Sequence, residues 1–151
     1  MELFALILIV HTGVSVFMTG LIWFVQIVHY PLLHKIGKKA FQEYEKSHCR
    51  MTTFVVGPAM FIELCTALVL ILPNLQKAAV SNIFLLWINI ALLTLIWLST
   101  AFLQMPDHMR LERQGYDELT VNRLVLYNWL RTLLWSVRSI VLLYYLTDLL
   151  Y

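Results

Sequence analysis

LFALILIVHTGVSVFMTGLIWFVQIV, residues 3–28, contains no Asp, Glu, Lys or Arg. Wound as a helix, this stretch extends about 39 Å, enough to cross the roughly 30 Å hydrocarbon layer of a bilayer. Three further runs read the same way: Met51 to Leu72, interrupted only by Glu63; Ile83 to Leu103; and Leu124 to Leu146, containing only Arg131 and Arg138. None alternates apolar with polar residues as a barrel strand must. The composition agrees. The 151 residues are 60% hydrophobic and 13% charged, against about 45–50% and about 25% in ordinary soluble domains. The expected fold is all-α, a polytopic membrane protein built as an up-and-down antiparallel bundle of four transmembrane helices. It forms a single domain over residues 1–151, with helices at about 3–29, 51–72, 82–103 and 119–147 and cytoplasmic loops at 31–50 and 104–118. The first run follows Met1-Glu2 with no basic region and lacks a small-x-small cleavage site, so it reads as a retained helix and not as a signal peptide.

The basic residues set the orientation. Of 11, five lie between the first and second runs (Lys35, Lys38, Lys39, Lys46, Arg50) and three between the third and fourth (Arg110, Arg113, Arg123). Lys77 alone lies between the second and third, and two fall within the last run. By the positive-inside rule the first and third loops face the cytoplasm, and both termini face away from it, in an inner or plasma membrane. The net charge of +2 is therefore topogenic, and no nucleic-acid partner is expected. The expected partners are the lipid bilayer and either further copies of the chain or a larger membrane complex.

Local signals refine this outline. Phe41, Tyr44 and His48 recur at helical spacing opposite Lys38, Lys39, Glu43 and Glu45, which predicts a short interfacial helix. Gly115 ends the segment before it, and Asp117 caps the last helix. Pro73-Asn74 closes the second helix and Ser81 caps the third. Gly57-Pro58 marks a kink. Cys49 and Cys65 would stand about 24 Å apart on one helix and cannot pair.

Function is read from polar residues inside apolar runs. Glu63 lies near the middle of its run, where a carboxylate must be paired, neutralised or turned to a cavity. Counted from the cytoplasmic ends, it is about 20 Å deep and Arg131 about 10 Å, so Arg131 reaching inward is the expected partner and Arg138 is expected to reach outward. Asn128, Arg131, Trp135 and Arg138 form one helical stripe; His11, Ser15, Ile22, Gln26 and His29 form another. Candidate catalytic residues are Glu63, Arg131, His108 and Asn128, and candidate cofactor-binding residues are His11 and His29. The imidazoles admit haem, another metal, or proton relay.

The segment Gln104-Met105-Pro106-Asp107-His108, then Gly115-Tyr116-Asp117, then Asn128-Trp129-Leu130-Arg131-Thr132 resembles the C-terminal signature of the small four-helix membrane proteins grouped with anthrone oxygenases. The resemblance implies oxidation of polycyclic phenolic substrates without an organic cofactor, with His108, Asn128 and Arg131 at the matching positions. His11, Gly20 and His29-Tyr30 more faintly resemble the first helix of the small haem-containing membrane protoporphyrinogen oxidases, which would imply a haem ligand in that helix. Together these readings give an oxidoreductase or oxygenase-like enzyme acting on a lipophilic or phenolic substrate. The other class is a non-catalytic accessory or structural subunit of a larger complex. Orientation is directly testable: a phosphatase reporter fused after Tyr151 should be active and a fluorescent protein at the same place dark, and the reverse pattern would invert the topology.

Overall fold

The computed structural model describes residues 2–73 and 83–150, with side chains up to Asp148. Four long helices make up nearly all of it: α1, Glu2–Lys35; α2, Lys38–Leu70; α3, Ile83–Gln114; and α4, Glu118–Leu150. No strand occurs among the described residues. The first three are long and apolar enough to cross a membrane; in α4 the two arginines interrupt the apolar run.

Neighbouring helices are antiparallel, as the layers of the core show. Phe4 and Leu8 at the start of α1 pack with Leu70 at the end of α2, Leu86 near the start of α3, and Leu142 and Tyr145 near the end of α4. A middle layer joins Met18, Ile22, Ala59, Met60, Ile96 and Trp135. The third layer, at the opposite end, joins Tyr30, Leu33, Phe41, Leu111, Val121 and Leu124. Around these layers the outer surface is apolar: Phe54, Phe84, Phe102 and Ile140 are each at least two-thirds exposed, while His11, Glu63, Asn128 and Arg138 are buried. Polar side chains sit inside and apolar ones outside, the reverse of a soluble bundle.

The expected loops at 31–50 and 104–118 are mostly helix. α1 continues through Pro31 to Lys35, and only Ile36 and Gly37 separate it from α2. The predicted interfacial helix is the first part of α2, continuous with the apolar run after it. The reason is that loss of hydrophobicity does not break a helix. Backbone hydrogen bonds continue until a residue such as Gly or Pro interrupts them, and Lys38 to Gly57 contains no such residue in its interior. Pro58 is accommodated within α2.

Two prolines do leave a mark. Tyr30-Pro31 and Met105-Pro106 are each preceded by a wide turn, at Val25–His29 and Thr100–Gln104, where Tyr30 N–H bonds to Val25 O and Met105 N–H to Thr100 O. Proline has no N–H and its ring crowds the carbonyl four residues back, so the preceding turn takes up one extra residue. Both turns lie at the same end of the bundle, that of the third core layer.

α3 continues past its expected end at about 103 and stops at the expected Gly115 signal. Gly115 has φ 80° and donates its N–H to Leu111 O at 2.9 Å. Asp117 then caps α4, its carboxylate accepting from the Thr120 hydroxyl and, at 3.3 Å, from Thr120 N–H. These bonds hold the Asp117 carboxyl below its ordinary range. The turn expected at Pro73-Asn74 and the cap at Ser81 fall largely outside the described residues. A Cβ at Gly115 would meet nothing within 4 Å, so Gly115→Ala should cost only backbone strain, about 1–3 kcal/mol, measured as a loss in thermal unfolding in detergent.

Candidate functional site

The interior holds two polar clusters of different character. In the deeper one all four helices meet. Arg138 of α4 makes an ion pair with Glu63 of α2, and both side chains are fully buried. Arg138 Nε also donates to Asn89 Oδ1 of α3 at 3.0 Å, and Trp135 Nε1 donates to Glu63 Oε2 at 3.3 Å. A guanidinium only donates, so His11 Nε2, 3.0 Å from Arg138 Nη2, accepts. The imidazole proton therefore sits on Nδ1, 2.6 Å from Thr66 Oγ1. Ser15, Thr19 and Ser139 extend the network between α1 and α4.

The second cluster lies toward the end where Gly37 joins α1 and α2. There a cavity of about 470 Å³ opens between the helices. Its body is apolar, with Met18, Leu21, Ile22, Val25, Val56, Met60 and Trp97; Tyr30, His48, Cys49, Gln104, His108, Glu112 and Arg131 form its polar side. His108 is held from both sides. Its Nδ1 donates to Glu45 Oε1 at 2.5 Å, and its Nε2 accepts from the Tyr30 hydroxyl at 2.9 Å, with Gln104 Oε1 3.3 Å from that hydroxyl. Glu45 is fully buried. Burial opposes its charge, and the bond from His108 offsets part of that cost. His29 and His48 stack at 4.3 Å.

Arg131 stands at the inner wall of this cavity. It is 7% exposed, and among the described residues no carboxylate lies within 4 Å of it. Its neighbours are neutral: Asn128 Oδ1 at 3.5 Å from Nη1, the Trp135 ring at 5.2 Å, and Tyr30. Its Nε has no partner. Asn128 is held in turn by Gln26 Oε1 at 2.9 Å, and Gln26 by the Val125 carbonyl.

The pairing expected for Glu63 is therefore corrected: its partner is Arg138, not Arg131, and Arg138 does not reach outward. Arg138 is 14 residues past Leu124, about 21 Å deep, level with Glu63 at about 20 Å. Depth alone matches them. His11 lies in the deep cluster with both ring nitrogens engaged, and neither His11 nor Glu63 lines the cavity. His29 is beside the cavity, stacked on His48, with its Nε2 buried and unpartnered. His108, Asn128 and Arg131 do come together. Glu45 and Tyr30 join them unforeseen, because the sequence puts Glu45 on the polar face of the expected interfacial helix, opposite Phe41, Tyr44 and His48. The signal was there in the four-residue spacing of Phe41, Glu45 and Cys49, which puts Glu45 on the apolar side. No family model, curated protein or solved structure matches the chain.

Removing one member of the deep pair leaves a buried charge uncompensated. Glu63→Gln should cost about 3–5 kcal/mol in unfolding experiments in detergent. A double-mutant cycle with Arg138→Met should show strong coupling, and one with Arg131→Met should be close to additive.

Proposed function

We propose that this chain is an integral membrane protein with all four helices crossing the bilayer, the Gly37 end facing the cytoplasm, and that its cavity binds a lipophilic substrate bearing an ionisable oxygen. The apolar exterior around a polar interior supports the membrane reading: such a surface is stable against lipid and costly against water. Within α4, Arg138 is neutralised by Glu63. Arg131 is not neutralised.

That unpaired guanidinium carries the functional reading. A buried cation without a counter-charge costs several kcal/mol, and a purely structural subunit gains nothing from placing one beside a cavity. An anionic oxygen arriving in the cavity removes that cost and forms charge-assisted hydrogen bonds. The opposite walls are mainly apolar, with the Thr53 and Thr100 hydroxyls turned to carbonyls of their own helices, so the occupant is amphipathic, with a flat or flexible apolar body and one phenolic or enolic oxygen at Arg131. Tyr30 is positioned beside that oxygen. Asn128, fixed through Gln26, keeps the guanidinium aligned. The Glu45–His108 pair stands at the same polar side and supplies the group that handles the proton of a phenol or enol.

This arrangement suits an oxidoreductase or oxygenase-like enzyme for polycyclic phenols, the activity implied by the resemblance to the anthrone-oxygenase group. A phenol or enol held as its anion is the electron-rich form that an oxidant such as dioxygen attacks. The deep Glu63, a candidate catalytic residue by sequence, does not line this cavity, and proton handling falls to Glu45 and His108.

Hydroxypyrene, whose fluorescence distinguishes phenol from phenolate, tests the reading directly. The purified protein in mild detergent should bind it saturably as the phenolate. Arg131→Met should weaken binding by about ten- to a hundredfold, the worth of a charge-assisted hydrogen bond. Gly57→Leu should block the cavity, since a Cβ there meets only Thr53 Cγ2 at 3.8 Å. Equal phenolate binding by the parent and both variants would refute the site.

A further inference from the structure

At the mouth of the cavity α2 and α3 face each other with two pairs of side chains at the same spacing. Glu45 and Cys49 are four residues apart on α2; His108 and Glu112 are four apart on α3. Residues so spaced lie on one face of a helix. Cys49 Sγ is 3.6 Å from Glu45 Oε1, and His108 Nδ1 is 2.5 Å from the same oxygen. One donor atom from each of Glu45, Cys49 and His108 lies within 4.8 Å of the others. Glu112 approaches the Cys49 thiol from the other side.

We propose that Glu45, Cys49 and His108, completed by Glu112, form a binding site for one divalent first-row transition-metal ion. The donor set is one imidazole, one thiolate and carboxylate oxygen, which favours an ion of the zinc, cobalt or iron(II) type over magnesium or calcium. Around a tetrahedral ion, bonds of about 2.0–2.3 Å set ligand atoms about 3.3–3.8 Å apart. The Sγ to Oε1 distance already falls in that range. The Nδ1 to Oε1 distance must open by about 1 Å, and what it now encloses is the single proton shared by His108 and Glu45. On binding, the Nδ1 proton passes to Nε2, which then donates to the Tyr30 hydroxyl, and the Cys49 thiol proton is released to solvent.

An independent observation at the same place points to a ligand. Glu45 is fully buried and its second oxygen, Oε2, has no hydrogen-bond partner. A buried carboxylate oxygen left bare is costly, and coordination to a cation removes the cost. Among the described residues no Lys or Arg lies within 4 Å of Glu45 or Glu112, so no protein cation does so instead.

The site deepens the reading of the cavity without depending on it. With the ion bound, Glu45 and His108 are its ligands and no longer the proton-handling pair assigned to the metal-free cavity, and the ion's charge stabilises the phenolate oxygen instead. Metal binding is measured on its own.

Cobalt(II) titrated into the detergent-purified full chain is the probe. One ion per chain should bind, with a near-ultraviolet sulfur-to-cobalt charge-transfer band and visible bands of a four-coordinate ion. Cys49→Ser, nearly isosteric, should remove the charge-transfer band. His108→Ala and Glu45→Gln should each weaken binding by about tenfold or more, since even a supporting partner of a ligand is worth that much. Arg131→Met should leave cobalt binding unchanged while it weakens phenolate binding, which separates failure of this site from failure of the cavity reading. Helical circular dichroism of each variant identifies any loss due to unfolding. Absence of stoichiometric binding to the parent chain, or binding unaltered by Cys49→Ser and Glu45→Gln in folded protein, would overturn the proposal.

Discussion

The buried ion pair between Glu63 and Arg138 is the constraint around which the bundle is arranged. Both side chains are fully buried, and the cost of placing two charges there is recovered only if each remaining lone pair and proton also finds a partner. Those partners come from every helix: His11 from α1, Thr66 beside Glu63 on α2, Asn89 from α3, and Trp135 on α4. Satisfying one carboxylate and one guanidinium thus fixes the rotation of each helix about its axis. Apolar side chains alone would hold this less strictly, because the exterior of the bundle is as apolar as its core and one face is much like another.

The contrast with the other polar cluster separates support from function. In the deep cluster the two charges are matched, and neither His11 nor Glu63 lines the cavity. Toward the Gly37 end the pattern changes: among the described residues Arg131 has no acid within 4 Å, Glu45 Oε2 and His29 Nε2 have no partner, and a cavity of about 470 Å³ lies beside them. Unsatisfied buried groups are expensive; Asn89 Nδ2 in the deep cluster is also bare, but Arg131 Nε, Glu45 Oε2, His29 Nε2 and Gln104 Nε2 stand around the cavity, where a ligand would satisfy them. The two wide turns before Pro31 and Pro106 lie at the same end. They set Tyr30 and Gln104, which flank the site on α1 and α3, within hydrogen-bonding distance.

Sequence reading found the elements well and the connections poorly. Charge-free runs located the four helices because nothing else accommodates so many consecutive apolar residues. The same criterion ended helices too early, giving Lys38 to Arg50 a separate interfacial helix within a loop and Met105 to Gln114 a loop, when polarity had changed but helical hydrogen bonding had not. That error hid Glu45, whose place on the inner face of α2 depends on the helix being continuous. The Glu63 partner was misread for a different reason. Side-chain reach was weighed before depth, although counting along α4 puts Arg138 and not Arg131 at the level of Glu63.

The sequence by itself determined that the chain is a helical bundle with a short list of polar residues placed among apolar ones, because hydrophobic length and periodicity are local properties of the chain. It also determined that Asn128, Arg131, Trp135 and Arg138 share one face of the last helix. Which of those residues are satisfied was decided only by the tertiary structure, since partnership depends on helix rotation and on residues far apart in the chain: Glu63 with Arg138, Glu45 with His108, Gln26 with Asn128. The unpaired state of Arg131 is a property of the whole bundle, and no stretch of sequence contains it.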